Sequence, residues 1–116
     1  MIHYTIRQIQ TGWQILDKSQ YGTYGKGYGQ LVEHPVFAFL LEGGGRKILV
    51  DTGMSDTEHS VKYHHEGSQE PGQAIHEQLE RLGIGLDEIE TIIFTHLHWD
   101  HCYNLDKFPK ARLFSQ

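Results

Sequence analysis

The sequence is poor in cysteine, in basic charge and in long apolar runs, and each shortage excludes a class of protein. Cys102 is the only cysteine among 116 residues, so the fold is held by packing, by metal or by association and not by an internal disulfide. The net charge is -5 and no run of lysine or arginine occurs, which argues against binding to nucleic acid or to anionic membranes. No stretch approaches the ~20 apolar residues of a membrane span, and the N-terminus lacks a signal-peptide pattern. We therefore expect a cytoplasmic protein.

The order of apolar patterns predicts an α/β fold in a single domain covering residues 1–116. Alternating apolar residues between Ile2 and Asp17 predict two strands that turn at Gly12. The apolar run Val36–Leu41 and the stretch Arg46–Asp51 predict a buried hairpin around a glycine turn. A helix is expected over 71–82, followed by a buried strand that ends at Thr95. Strands followed by helix followed by strand place the chain in the α/β class.

Two polar segments show no periodicity and are expected to form loops. One contains four glycines between Gly22 and Gly29, and we expect a flexible loop near a pocket. The other covers residues 54–69 and is expected to be irregular.

Histidine is the informative residue type. Of nine histidines, three (His96, His98 and His101) fall within six residues, directly after the strand that ends at Thr95. In the pair His96-x-His98 on an extended backbone, both imidazoles point to one side. Asp100 and His101 follow at once and address a neighbouring position, so two adjacent metal sites are expected. Imidazole and carboxylate ligands suit Zn²⁺ first, with Fe or Mn as alternatives. The competing hypothesis is a set of polar residues with only structural contacts.

These residues resemble two motifs of the metallo-β-lactamase superfamily. The stretch Thr95–His101, read Thr-His-Leu-His-Trp-Asp-His, is similar to the family's metal-binding motif, and Asp51-Thr-Gly53 is similar to the motif that precedes it. Trp99, the glycine-rich loop and the histidines of residues 54–69 are most similar to the N-acyl-homoserine lactonase-like branch. The resemblance implies an αββα sandwich in which this chain is the N-terminal half and the C-terminal half is absent.

The same resemblance implies roles for individual residues. His96 and His98 would bind the first of two Zn²⁺ ions, and Asp100 and His101 the second, with Asp100 also orienting the nucleophile. Asp51 would orient the ligand loop by hydrogen bonds, or alternatively only cap a turn.

Other positions carry weaker expectations. Tyr28, His64 and His65 are expected to line the substrate pocket, while the alternative for the two histidines is a solvated loop. Cys102, Tyr103 and Asn104 stand where the family usually has glycines. Cys102 either approaches the metals or is a small buried thiol.

The resemblance further implies a zinc-dependent hydrolase that opens a lactone or ester-type small molecule with a metal-activated water. A glyoxalase II-like thioesterase is the first alternative. The second is a metal-binding module without turnover that needs a partner half. Only four ligands of a dinuclear site are present, and the apolar strands leave one sheet face uncovered. We therefore expect a homodimer or association with a C-terminal half.

Overall fold

Six strands and four short helices make up the chain, and all six strands belong to one sheet. The computed structural model describes every residue from Met1 to Gln116. The strands are β1 (Thr5–Asp17), β2 (Leu31–Gly43), β3 (Arg46–Val50), β4 (Gly67–Ser68), β5 (Thr91–Ile93) and β6 (Arg112–Phe114). The helices are α1 (Lys18–Tyr21), α2 (Thr57–Tyr63), α3 (Ile75–Arg81) and α4 (Trp99–Cys102). Two 3₁₀ turns cover Leu86–Glu88 and Leu105–Lys107.

The sheet is mixed, with the order β4-β1-β2-β3-β5-β6. Its first four strands pair in antiparallel fashion, whereas β5 pairs in parallel with β3 and with β6. The expected α/β class is confirmed. None of the helices is long and apolar enough to cross a membrane.

The predicted central hairpin is present and longer than the apolar run suggested. The loop between β2 and β3 turns on Gly44 and Gly45, whose φ angles are 59° and 76°. Two consecutive residues with positive φ define the tight turn that matches the twist of antiparallel strands, and glycine adopts it without steric cost. The glycines therefore fix the register of this hairpin, in which Leu40 faces Leu49.

The predicted hairpin at the N-terminus is wrong, because β1 is one continuous strand. Its pairing with β2 shifts by one residue between Gln10 and Gly12, as in a β-bulge. At the bulge the Thr11 hydroxyl donates a hydrogen bond to the Val36 carbonyl at 3.2 Å. A side chain at Gly12 would collide with Met54. Glycine therefore stands where the Met54 side chain packs closely against the backbone of β1. The extra residue of the bulge breaks the alternation of apolar and polar residues that predicted two strands.

The segment 54–69 is not wholly irregular as predicted, since it contains α2. Asp56 caps this helix by accepting a hydrogen bond from the His59 amide at 2.8 Å. The helix has no apolar stripe because Ser60 is its only buried residue, so hydrophobic periodicity could not reveal it. Helix α3 is confirmed at its predicted place but begins at Ile75, four residues later than expected.

The hydrophobic core lies between one face of the sheet and the segment that carries α3. It consists of eleven buried residues: Ile9, Ala38, Leu40, Leu49, Ile75, Leu79, Ile84, Ile89, Ile92, Phe94 and Phe108. Strand residues in the core alternate with residues on the opposite face, which stay half-buried or exposed. On that opposite face Ile93 is 41% exposed and Phe114 is 51% exposed. The core thus fixes only one side of the sheet.

Candidate metal centre

The two sequence motifs meet at one edge of the sheet because β3 and β5 are parallel neighbours. Val50, the last residue of β3, pairs with Ile93, the last residue of β5. The chain continues into Asp51 after the first strand and towards Thr95 after the second. Asp51 has a φ of 61° and is the only non-glycine residue with positive φ, a conformation that aspartate tolerates better than most residues. The turn directs its carboxylate to the start of the histidine loop.

Asp51 is buried and fully engaged by that loop. Its Oδ1 accepts a hydrogen bond from the Thr95 amide at 2.8 Å, and its Oδ2 accepts from the Thr95 hydroxyl at 2.7 Å. Oδ2 also lies 2.7 Å from Nδ1 of His101. Burial raises the pKa of the Asp51 carboxyl, but the hydrogen bonds from His101 and Thr95 outweigh burial and hold it below its ordinary value. The carboxylate therefore stays charged and fixes the His101 ring.

His101 lies between two carboxylates. Its Nδ1 faces Asp51, and its Nε2 lies 3.3 Å from Oδ2 of Asp100. Burial lowers the pKa of His101, but the contacts with Asp100 and Asp51 outweigh it and raise this pKa to about 9. The same pairing holds the pKa of Asp100 below its ordinary value although burial acts to raise it. Without metal, a proton on the imidazole therefore offsets one of the two carboxylate charges.

His96 and His98 lie beside this pair and are exposed. The rings of His96 and His98 meet edge to face with centroids 4.5 Å apart, and the His96 ring lies 4.1 Å from the His101 ring. Nδ1 of His96 is 3.0 Å from the Thr95 hydroxyl, which leaves its Nε2 available. The structure therefore brings together all four residues that the motif predicts as ligands, although no three side chains of the chain form a ready cation site.

The donor set fits a divalent cation. Three imidazoles and a carboxylate are ligands of the kind that Zn²⁺, Fe and Mn accept. In metalloproteins a ligating histidine commonly donates its second ring N–H to a carboxylate, which fixes its orientation and strengthens it as a ligand. Asp51 makes that contact with Nδ1 of His101, so Nε2, which faces Asp100, is the nitrogen that would hold a cation.

A buried asparagine ties the two motifs together, and sequence patterns did not identify it. Asn104 donates from its side chain to the carbonyls of Thr52 and Met54, both at 3.0 Å, and to that of Gly53 at 3.3 Å. Thr52 in turn donates from its backbone and hydroxyl to the His101 carbonyl, at 2.6 and 2.9 Å. These bonds lock the Asp-Thr-Gly turn against α4. The one signal in the sequence was that Asn104 stands where the family usually has glycine. That difference did not show what Asn104 contacts.

The three residues predicted to line a substrate pocket are not in the wall of the cavity beside the candidate metal centre. His64 stacks on Trp99 with parallel rings whose centroids are 4.2 Å apart, so it adjoins the motif helix. Burial, followed by the charges of His59 and His65, lowers the pKa of His64. His65 packs edge to face on Tyr21, at 5.2 Å. Tyr28 is 77% exposed in the glycine-rich loop.

Cys102 lies at the end of α4 and not among the four donors. Its thiol donates to the Leu97 carbonyl at 3.6 Å. Burial, and secondarily the charge of Asp100, raises its pKa. A thiol that resists ionisation is a poor metal ligand, which supports the hypothesis of a packed cysteine.

A cavity of about 410 Å³ opens beside the centre. Asp51, Asp100 and His101 lie in its wall together with two polar residues of the long strands, Gln14 and His34. Neither Gln14 nor His34 was predicted as a site residue, because single polar residues within a strand carry no recognisable pattern.

Comparisons with known proteins agree with this geometry. The Metallo-beta-lactamase superfamily profile matches residues 31–115. An N-acyl homoserine lactonase of Bacillus thuringiensis is 34% identical over 97 residues, which cover 76% of this chain and 39% of the relative. The N-acyl homoserine lactonase AiiB of Agrobacterium fabrum is 28% identical over 96 residues, covering 74% of this chain and 34% of that protein. The chain thus spans about two fifths or less of the length of these relatives.

Solved structures give the same assignment. A quorum-quenching N-acyl homoserine lactone lactonase superposes with a TM-score of 0.78 at 30% identity, covering 93% of this chain and 43% of its own. An N-acyl homoserine lactone hydrolase with the product N-hexanoyl-L-homoserine bound at its catalytic metal centre superposes with a TM-score of 0.79 at 28% identity, covering 93% of this chain and 46% of its own. The chain belongs to the metallo-β-lactamase superfamily and is most similar to its lactonase-like branch.

Proposed function

We propose that this chain carries one half of the metal site of a hydrolase that opens lactones. The observation that carries the proposal is the contact series from Asp51 through His101 to Asp100, with His96 and His98 adjoining, where β3 and β5 end side by side. The similarity to N-acyl homoserine lactonases supports a lactone with an acyl chain as the substrate class.

The four donors divide into two pairs in this proposal. His96 and His98 hold one cation, and Asp100 and His101 hold a second, with Zn²⁺ as the first choice and Fe or Mn as alternatives. When bound, such a cation lowers the pKa of a coordinated water to about 7 and polarises a carbonyl group.

The chain's own residues prepare this site for metal binding. Asp51 keeps the Nε2 of His101 turned towards Asp100, and the Thr95 hydroxyl occupies the Nδ1 side of His96. Asp100, whose carboxylate lies against the His101 ring, would orient the attacking water. The Nε2 of His101 would have to lose its proton to hold a cation, so a rise in pH would favour metal binding.

The remaining ligands come from outside the four donors of this chain. No three of its His, Cys, Asp and Glu side chains form a ready cation site, so a C-terminal half or a second copy would complete a dinuclear centre. The same observation favours a second candidate function, a metal-binding module without turnover that needs a partner half.

Hydrolysis and metal content tested together separate these functions. The Zn²⁺-loaded chain is assayed alone and with an added C-terminal half, using an N-acyl homoserine lactone and an acyl thioester, and bound metal is measured by mass spectrometry. We expect lactone opening when the second half is present, and we expect His98→Ala and Asp100→Asn each to lose the cation that the residue holds and to lower the rate by more than about 100-fold. Asp106→Asn, an exposed aspartate outside the site, is the control. Full metal retention in His98→Ala contradicts the ligand assignment, thioester cleavage alone indicates a thioesterase, and metal binding without turnover even with the second half indicates the module.

A further inference from the structure

Two polar side chains in the wall of the cavity beside the metal centre have no hydrogen-bond partner for a buried nitrogen. Gln14 on β1 and His34 on β2 are directly paired across the two strands. Gln14 is only 4% exposed, and Nε2 of each residue is buried without a partner. Buried polar groups in folded proteins are nearly always hydrogen-bonded, so each exception requires an explanation. One explanation is that a bound ligand supplies the missing acceptor.

The two residues share their cavity with the candidate metal centre. Asp51, Asp100 and His101 belong to the same wall. The Gln14 amide lies close enough to Asp100 to help hold the pKa of that carboxyl down, after the larger effects of burial, which raises it, and of His101, which lowers it. No acceptor lies within hydrogen-bonding distance and angle of its Nε2. The amide carries two N–H groups, so with one of them directed at Asp100 the other is free to donate to a third group.

The charges around the cavity select the kind of acceptor. No lysine or arginine lines it, while two carboxylates, Asp51 and Asp100, do, and both contact the ring of His101. A carboxylate ligand would therefore meet two carboxylates and no basic side chain to pair with, which disfavours it at close range. A neutral carbonyl oxygen accepts the same hydrogen bond without this repulsion.

The rest of the cavity wall is apolar. Leu16, Val36, Phe37 and Phe39 contribute to it, and a volume of about 410 Å³ is in the range of small-molecule sites. From these observations we infer that Gln14, with His34, is a binding subsite for the neutral carbonyl of a ligand whose hydrocarbon part lies on the apolar wall. This inference rests on the proposed function only in taking the ligand to be a substrate of the neighbouring centre.

A titration of the whole 116-residue chain, with and without Zn²⁺, tests the subsite. The probe is N,N-dimethylhexanamide, a neutral carbonyl compound that resists hydrolysis, and hexanoate is its charged counterpart. Nuclear magnetic resonance follows the side-chain amide of Gln14 and the ring of His34. We expect both to shift with the amide, and hexanoate to bind the metal-free chain at least about tenfold more weakly.

Substitution of the donor gives the second readout. Gln14→Met keeps the length of the side chain and removes the N–H, so the dissociation constant of the amide should rise about three- to tenfold, the usual value of one hydrogen bond. The matched control is Gln8→Met, an exposed glutamine of the same strand, which should leave the constant unchanged. His34→Phe is the second variant, should Gln14→Met fail to fold.

Three results would overturn the inference. The dissociation constant of the amide is unchanged in both variants, neither residue shifts in the native chain, or hexanoate binds the metal-free chain as tightly as the amide does. Its failure is distinguishable from failure of the proposed function. If amide binding depends on Gln14 but no lactone is opened, the subsite is supported and the proposed activity is contradicted. If lactones are opened equally well without the Gln14 amide, the activity is supported and the subsite is contradicted.

Discussion

Asp51 Oδ2 lies 2.7 Å from Nδ1 of His101, a residue fifty positions later in the chain. This contact joins the Asp-Thr-Gly turn after β3 to the helix that carries the last histidine of the motif. It engages Nδ1 of His101, so Nε2 is the nitrogen that faces Asp100. In the proposed site the buried Asp51 carboxylate would therefore act on the metal through the His101 imidazole.

Asp51→Asn should weaken metal binding without removing a ligand. The amide cannot accept from Thr95 and His101 in the same charged geometry, and loss of such an outer partner typically lowers metal affinity by 10- to 100-fold. Isothermal titration with Zn²⁺ measures the effect, and Asp106→Asn is the matched control. Equal affinity in native and Asp51→Asn protein contradicts the role given to Asp51.

The stability of the metal-free chain should fall as the pH rises from about 6.5 to about 9. The pKa of His101 is raised to about 9 in the folded chain, so protonated His101 contributes stability that is complete below its unfolded pKa and is lost above the folded one. The contribution is at most about 3 kcal/mol for a shift of this size. Urea denaturation of chelator-treated protein at pH 6 and pH 9.5 measures it. His101→Gln is the control, and its stability should not change over the same interval.

The grouping of the motif residues could be predicted from the sequence because they lie close together in it. His96, His98, Asp100 and His101 follow one strand within a few residues, and the end of a strand is visible as a change from apolar to polar residues. The strand β1 could not be predicted as one element, since the bulge at Gly12 reverses which residues face the core. Helix α2 was not predicted for another reason. It has no apolar stripe, and its cap at Asp56 is a single side-chain contact.

Residues that act at long range were the ones missed. Asn104 satisfies three carbonyls about fifty residues away, and nothing adjacent to it in sequence indicates that partnership. Gln14 and His34 meet only because β1 and β2 pair in a particular register. The register of β1 against β2 depends on the bulge and on the glycine loop together. The residues that line the cavity could therefore be identified only from the folded structure.

Asn104→Ala should destabilise the fold by about 1–3 kcal/mol, because it leaves buried carbonyls without donors. Asn104 is 4% exposed, so water cannot easily replace its amide. Urea denaturation measures the change, and Asp106→Ala, two residues further along on the surface, is the control. A free energy of unfolding equal to that of the native chain would show that the Asp-Thr-Gly turn is held by other contacts.

The uncovered face of the sheet yields the last prediction, that the purified chain self-associates. In-register pairs show which residues share this face: Phe39 with Val50, Val50 with Ile93, and Ile93 with Phe114. They form an apolar row across four strands, and its outer members, Ile93 and Phe114, are 41% and 51% exposed. Apolar patches of this kind on a soluble protein mark association surfaces, and the edge strand β6 offers unpaired backbone groups beside them.

Sedimentation at micromolar concentration should therefore show a dimer or larger species and not a 13.4 kDa monomer. Replacing Ile93 and Phe114 together by lysine places two like charges on the row, which should shift the distribution towards monomer while leaving the core on the other face intact. Val61→Lys, which removes an exposed apolar residue of α2, is the control and should not change the distribution. A monodisperse native monomer would mean that the row is too small to drive association, and a variant as associated as the native chain would place the contact elsewhere.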